Sequence, residues 1–262
     1  MQLGCGLMLS TDEGRQTTVP SAAAAPAADD SAAGETGSES DAPDRSREAP
    51  AEIPAVVLEP APQPLDPRIL LAMSFDGSPY SLTDPQPIPT VEGVEGMLSD
   101  GRWGGRFDED SLVTFTSTDT LSGLSAFTVE LWARLDSAVE SGRVALADKE
   151  SEWGIFVFPE DKLRFSAASD GHVFCTIEAE RWTHVALVVD RGSARFSGYV
   201  DGQHCGSAEA GTAPPSTDDP IHFGSDSPTD RDKLVGMLSD IRFWGVALNE
   251  DEVCARASGC ED

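Results

Sequence analysis

Hydrophobic and polar positions alternate most clearly over residues 126–135, AFTVELWARL. Phe127, Val129, Leu131, Ala133 and Leu135 fall on one face, and Thr128, Glu130, Trp132 and Arg134 on the other. A period of two with one apolar face predicts a half-buried β-strand. Residues 181–202, RWTHVALVVDRGSARFSGYVDG, carry a second signal. Val185, Leu187 and Val189 alternate with Ala186 and Val188, so this run predicts a strand buried largely on both faces. Asp190 to Ser193 supply turn chemistry, since Asp bonds its own backbone and Gly accepts positive φ. A second strand through Phe196 and Val200 then ends at Asp201-Gly202, another turn dipeptide.

Shorter runs fit the same reading. Residues 69–76, 143–149, 153–158, 163–168, 172–178, 221–226 and 238–244 predict strands. Residues 103–117, WGGRFDEDSLVTFTS, predict a hairpin that turns at Asp108-Glu109-Asp110. Residues 82–101, with Pro85, Pro87 and Pro89, read as loop. Asn249 with Glu252 three residues on predicts a capping box and one or two helical turns. The fold class expected is all-β, a two-sheet antiparallel sandwich with a short C-terminal helix.

Four of these segments resemble, in order and spacing, the LamG-like jelly roll of the concanavalin A-like lectin/glucanase superfamily. They are the W-x-H-V-A of residues 182–186 with its D-x-G turn and Y-V-D-G end, AFTVELWARL, IHFGSD at 221–226, and GMLSDIRFWGVALNEDEV at 236–253. The resemblance runs over residues 68–256 and implies that Trp182 and Trp244 are core. The chain is also similar to the pentraxins, calcium-dependent members of that superfamily. That similarity places Glu150-Ser151 at one ligand pair and Asp226 at another acidic ligand, with Asp230 or Asp232 completing the set. Two departures stand out. Pro228 occupies a position where a ligand carboxylate is expected, and Glu130 and Ala186 stand where pentraxins have a disulfide.

Composition divides the chain. Residues 1–65 are rich in Ala, Pro, Asp, Glu, Ser and Gly and lack aromatic residues. Such a segment cannot bury enough apolar surface to offset its ordering entropy, so it reads as a disordered acidic leader. Residues 66–262 then form one domain of ordinary size. The formal net charge is −28, with 11 acids and 3 bases in residues 1–65 and 35 and 15 in residues 66–262. Both parts are acidic, which excludes phosphate-backbone binding and therefore nucleic acid as a partner.

The five cysteines are Cys5, Cys175, Cys205, Cys254 and Cys260. The last four allow three pairings, of which Cys175–Cys205 and Cys254–Cys260 are expected. Disulfides imply an oxidising compartment outside the cytoplasm. Leu3-Gly4-Cys5-Gly6 resembles the end of a bacterial lipoprotein signal with Cys5 as the lipidated residue, although Gln2 and the apolar Leu7-Met8-Leu9 depart from it. An unstructured terminus with an accidental cysteine is the equal alternative.

Catalytic chemistry is hard to find. The E-x-D-x-x-E strand that glucanases of this fold carry is absent, and Glu130 stands alone on its strand. No G-x-S-x-G elbow occurs, His184 reads as a structural histidine, and His172, His204 and His222 have no ligand spacing. The aromatic candidates for a sugar platform are Trp103, Trp132, Trp153, Trp182 and Trp244; Trp132, on the polar face of its strand, either lines a concave surface or packs under a loop, and a core role is the expectation favoured. The function expected is a non-catalytic extracytoplasmic module that binds carbohydrate or a surface protein through rim loops, with calcium as the one cofactor implied. A structural cell-envelope domain without a small ligand is the alternative, and a divergent glycoside hydrolase a weaker one.

Overall fold

The computed structural model describes residues 66–76, 88–167, 171–211 and 217–257. The leader with Cys5, and Cys260, lie outside them.

Two antiparallel sheets stack face to face. The first holds β1 (Ile69–Met73), β3 (Glu95–Ser99), β4 (Arg102–Phe107), β6 (Ala126–Leu135), β11 (Thr183–Asp190), β12 (Arg195–Val200), β13 (Gln203–Glu209) and β15 (Gly236–Trp244). Its order is β13-β12-β11-β6-β15-β4-β3, with β1 also paired to β15. The second holds β2 (Thr90–Glu92), β5 (Leu112–Phe115), β7 (Val144–Lys149), β8 (Trp153–Phe158), β9 (Lys162–Ser166), β10 (His172–Thr176) and β14 (Ile221–Phe223), in the order β10-β9-β8-β7-β14-β5-β2. The alternation over 126–135 decides which side chains fill the space between. Phe127, Val129, Leu131, Ala133 and Leu135 all point inward and are buried against residues of the facing sheet such as Phe165, Ile155 and Phe223. At about 25 cal/mol per Å² of apolar area removed from water, this interleaving is the dominant stabilising term.

The opposite face of β6 is more covered than simple alternation predicts. Thr128 and Glu130 are buried because the C-terminal segment crosses over them. The Thr128 hydroxyl donates to the Val246 carbonyl and accepts from the Leu248 N–H, both at 3.0 Å. The chain then enters helix α1 (Glu250–Arg256), whose capping box has Asn249 accepting from the Glu252 N–H and Glu252 accepting from the Asn249 N–H. Glu130 and Ala186 face each other in register across β6 and β11. In place of a disulfide, Glu130 sits among Arg242 at 3.4 Å, His184 at 3.5 Å and Arg256 at 3.9 Å.

Two expectations need correction, and one element is added. Residues 103–117 do not form a hairpin: β4 belongs to the first sheet and β5 to the second. The turn is there, with Asp108 accepting from the Ser111 hydroxyl and the Asp110 N–H, but it carries the chain across the sandwich edge. The loop expected over 82–101 contains β2 and β3, two short, largely exposed strands at sheet edges. The central hairpin continues into a third strand, β13, polar and mostly exposed at the other edge.

One buried ion pair fixes a loop to this frame. Lys149, fully buried, lies 3.2 Å from Glu152 and donates to Ser117 Oγ, Thr217 Oγ1 and the Asp219 carbonyl. Burial alone would raise the Glu152 carboxyl; the Ser122 hydroxyl, the Gly123 N–H and the Lys149 ammonium hold it below its usual value instead.

Cys175 and Cys205 form a disulfide, with Cα atoms 5.8 Å apart, and join β10 to β13, the edge strands of opposite sheets. Cys254 is also disulfide-bonded. Cross-linking over a separation of 30 residues constrains the unfolded chain by about 3–4 kcal/mol. The double variant Cys175→Ala/Cys205→Ala is expected to melt roughly 10 °C lower in calorimetry, with the sandwich retained; an unchanged melting temperature would show that the edge closes without the bridge.

Candidate functional site

A cleft of about 500 Å³ opens on the outer face of the first sheet. Its position follows from β15. Along one edge, β15 pairs with β4 at residues 236–238 and with β1 at residues 241–244. Between the two partners the strand bulges at Ser239–Asp240, and the pairing with β6 skips a step there. Asp240 takes φ +47°, a left-handed conformation that Asp tolerates better than most residues. The cleft fills the gap where β1 and β4 part: Ser74, Phe75 and Asp76 line it from the end of β1, Asp100 to Trp103 from the β3–β4 turn, and Ser239 and Asp240 from the bulge.

Three tryptophans contribute. Trp132 on β6 and Trp182 just before β11 are half-buried, and Trp103 on β4 is 51% exposed. Trp182 is thus a cleft residue rather than a core residue, whereas Trp244 and Trp153 are buried. The Trp182 indole N–H donates to the Ser99 carbonyl at 2.9 Å, which fixes the ring. Gly104 leaves room for it, since a Cβ there would stand 2.7 Å from the Trp182 ring and 2.9 Å from the Leu238 carbonyl. Trp103 faces Leu98 across the β3–β4 pair, and both are exposed, so an apolar lip borders the cleft. The Ser239 hydroxyl donates to the Trp103 carbonyl at 2.5 Å and ties the bulge to β4.

Arg102 lies inside this frame. Its guanidinium sits 3.8 Å from the centre of the Trp132 ring and 6.0 Å from that of Trp182, and it is ion-paired to Asp240. Burial lowers its pKa and the Asp240 carboxylate opposes that shift. The cleft therefore offers aromatic faces, fixed carboxylate acceptors and hydroxyls, the inventory that recognises a polyol with one apolar face.

A second acidic group lies on the other sheet. Asp148, Glu150 and Asp226 each offer a carboxylate oxygen, and these lie within 4.8 Å of one another. Of the expected ligand set, Glu150 and Asp226 come together here; Asp230 instead pairs with Lys233 at 2.5 Å, and Asp232 with Arg143 at 2.5 Å. Asp148, a residue outside the expected ligand set, is the third carboxylate of the group. Oxygens on opposite sides of a calcium ion are about 4.8 Å apart, so the donor set fits calcium if backbone oxygens or water complete the six to eight ligands. Two features compete with a cation. Arg143 approaches Asp226 to 3.3 Å. Burial pushes the Asp148 carboxyl up to about 8, with the charges of Asp226 and Glu150 adding and the Ser227 N–H opposing.

The chain belongs to the Concanavalin A-like lectin/glucanases superfamily, which residues 107–254 match over more than half its length. No curated protein matches its sequence. Among solved structures, the fold is similar to the binding domain of Paraclostridial Mosquitocidal Protein 1, with a TM-score of 0.61 and 15% identity over 72% of this chain and 52% of that one. It is also similar to a botulinum neurotoxin type C structure, described as dependent for cell entry on two ganglioside molecules, with a TM-score of 0.59 and 14% identity over 72% of this chain and 50% of that one. The binding domain of botulinum neurotoxin DC in complex with SialylT gives 0.59 and 14% over 73% and 51%. This chain spans about half the length of those structures.

The Asp148 shift has a consequence for stability. A carboxyl whose folded pKa of about 8 lies above its ordinary 3.8 binds more protons in the folded state than in the unfolded one across that window, so stability falls as pH rises through it. Asp148→Asn keeps an acceptor for Ser227 and removes the titration. The variant is expected to gain in melting temperature over the parent from about pH 4 to pH 8 and to hold that gain above; parallel melting curves across the range would contradict the assignment.

Proposed function

We propose that this protein is a non-catalytic binding module that takes a saccharide in the cleft of Trp103, Trp132 and Trp182, outside the cytoplasm. The observation that carries this reading is the convergence of three tryptophans, three aspartates and two serines on one open cleft. The exposed Trp103 ring supplies the apolar stacking surface, with Trp132 and Trp182 holding Arg102 beside it, and carboxylates accept hydrogen bonds from hydroxyls in fixed directions. The ganglioside dependence of the type C neurotoxin and the SialylT complex of neurotoxin DC, structures of the same fold, add a reason to test saccharides first. A surface protein is the competing partner for the apolar lip of Leu98 and Trp103.

The location rests on the disulfide that joins the two sheets. Lipidation at Cys5 and a calcium ion held by Asp148, Glu150 and Asp226 belong to the same reading, and each has a direct check: mass spectrometry of the mature protein, and the melting temperature with and without added calcium.

Trp103 is exposed enough to be truncated without disturbing the core. On a glycan array, the parent is expected to retain particular glycans, and Trp103→Ala to lose at least about tenfold in affinity for them, as for an aromatic anchor of a binding surface. Equal retention by parent and variant would move the binding surface elsewhere.

A further inference from the structure

The cleft also states what charge its ligand has. We infer that it takes an uncharged saccharide and discriminates against one that carries a carboxylate, such as a sialylated glycan. This inference rests on the saccharide reading of the cleft.

A sugar carboxylate is received most strongly by a cation, and the guanidinia of Arg102, Arg134 and Arg242 are already committed. Arg102 is held by Asp240. Arg134 pairs with Asp100 at 3.2 Å and Asp136 at 3.6 Å. Arg242 reaches Glu130 at 3.4 Å and Asp240 at 3.8 Å. The lining itself carries Asp76, Asp100 and Asp240 against Arg102 alone. Among the described residues, the Asp76 carboxylate has only the Ser74 hydroxyl as a partner, at 2.9 Å. A ligand carboxylate would meet repulsion from that group and would have to break an existing ion pair to find a counter-charge.

A cationic ligand fares no better. The seat that aromatic rings and a carboxylate offer a cation is the one between Trp132, Trp182 and Asp240, and Arg102 fills it. A second cation placed there would be repelled by the first. What remains open is the exposed face of Trp103 and the free lone pairs of the aspartates. An uncharged ring with an apolar face and donor hydroxyls matches both.

The test uses the full chain on an array of glycan pairs that differ only in a terminal sialic acid, with a lysine-rich peptide as a further probe. The uncapped member of each pair is expected to bind roughly fivefold or more tightly than its sialylated partner at low salt, with the gap narrowing as ionic strength rises. Asp76→Asn/Asp100→Asn, which removes two negative charges and releases Arg134 from Asp100, is expected to close or invert the gap, whatever it does to absolute affinity. Equal or tighter binding of the sialylated members, lost on Trp103→Ala, would overturn the charge inference and leave the saccharide reading standing. Glycan binding that Trp103→Ala does not alter, or no glycan binding at all, would overturn both. Capture of the lysine-rich peptide in a Trp103-dependent way would replace the uncharged ligand with a cationic one.

Discussion

The outer face of the first sheet depends on a single interruption in β15. A strand that kept one partner along its whole edge would leave no opening. Here β15 pairs with β4, bulges at Ser239–Asp240, and then pairs with β1. The bulge turns the Asp240 carboxylate outward, where it meets Arg102, and Arg102 in turn covers Trp132. The Ser239 hydroxyl anchors the bulge to the Trp103 backbone. Each recognition group in the cleft is therefore placed by regular strand pairing on either side of one irregular step, which is a common way for β-sheets to aim side chains at a ligand.

Much of this architecture could be read from the sequence, for a definite reason. Where core side chains line one face of a strand and mainly polar ones the other, the alternation is strong, and β6 carries it from Phe127 to Leu135 although Thr128 and Glu130 on the polar face are themselves buried. β11, buried along nearly its whole length, was equally legible as a continuous run of branched apolar residues. The strands that escaped, β2, β3 and β13, are short, polar edge strands, whose existence is decided by a neighbour's free hydrogen-bonding groups rather than by their own pattern. The turn at Asp108–Ser111 was visible, but a tight turn looks the same whether its flanking strands pair or part into opposite sheets.

The site was legible only in fragments. Trp132 drew notice as an aromatic on the polar face of its strand, but a packing role was the expectation favoured for it. Trp182 looked like core, and half of it is; only the Gly104 contact and the Ser99 hydrogen bond reveal that it is held upright at a cleft. The bulge left only a small mark in the sequence, the two consecutive polar residues Ser239 and Asp240 between buried Leu238 and Ile241, where an unbroken strand would alternate. The acidic group on the second sheet was found through Glu150 and Asp226, yet Asp148 was hidden as a strand residue and Asp230 was claimed by Lys233. In an acidic protein, burial and local ion pairs rather than the count of carboxylates decide which acids are available.

The central claim is that ligand recognition occurs at the cleft tryptophans and leaves the core tryptophans untouched. The five indole N–H resonances separate these groups, since Trp103, Trp132 and Trp182 line the cleft while Trp153 and Trp244 are buried. Titration of the isotopically labelled protein with a glycan that it retains on an array is predicted to shift the resonances of the cleft tryptophans, that of Trp103 above all, and to leave those of Trp153 and Trp244 in place. A saturable titration in which the three cleft resonances stay fixed would contradict the account.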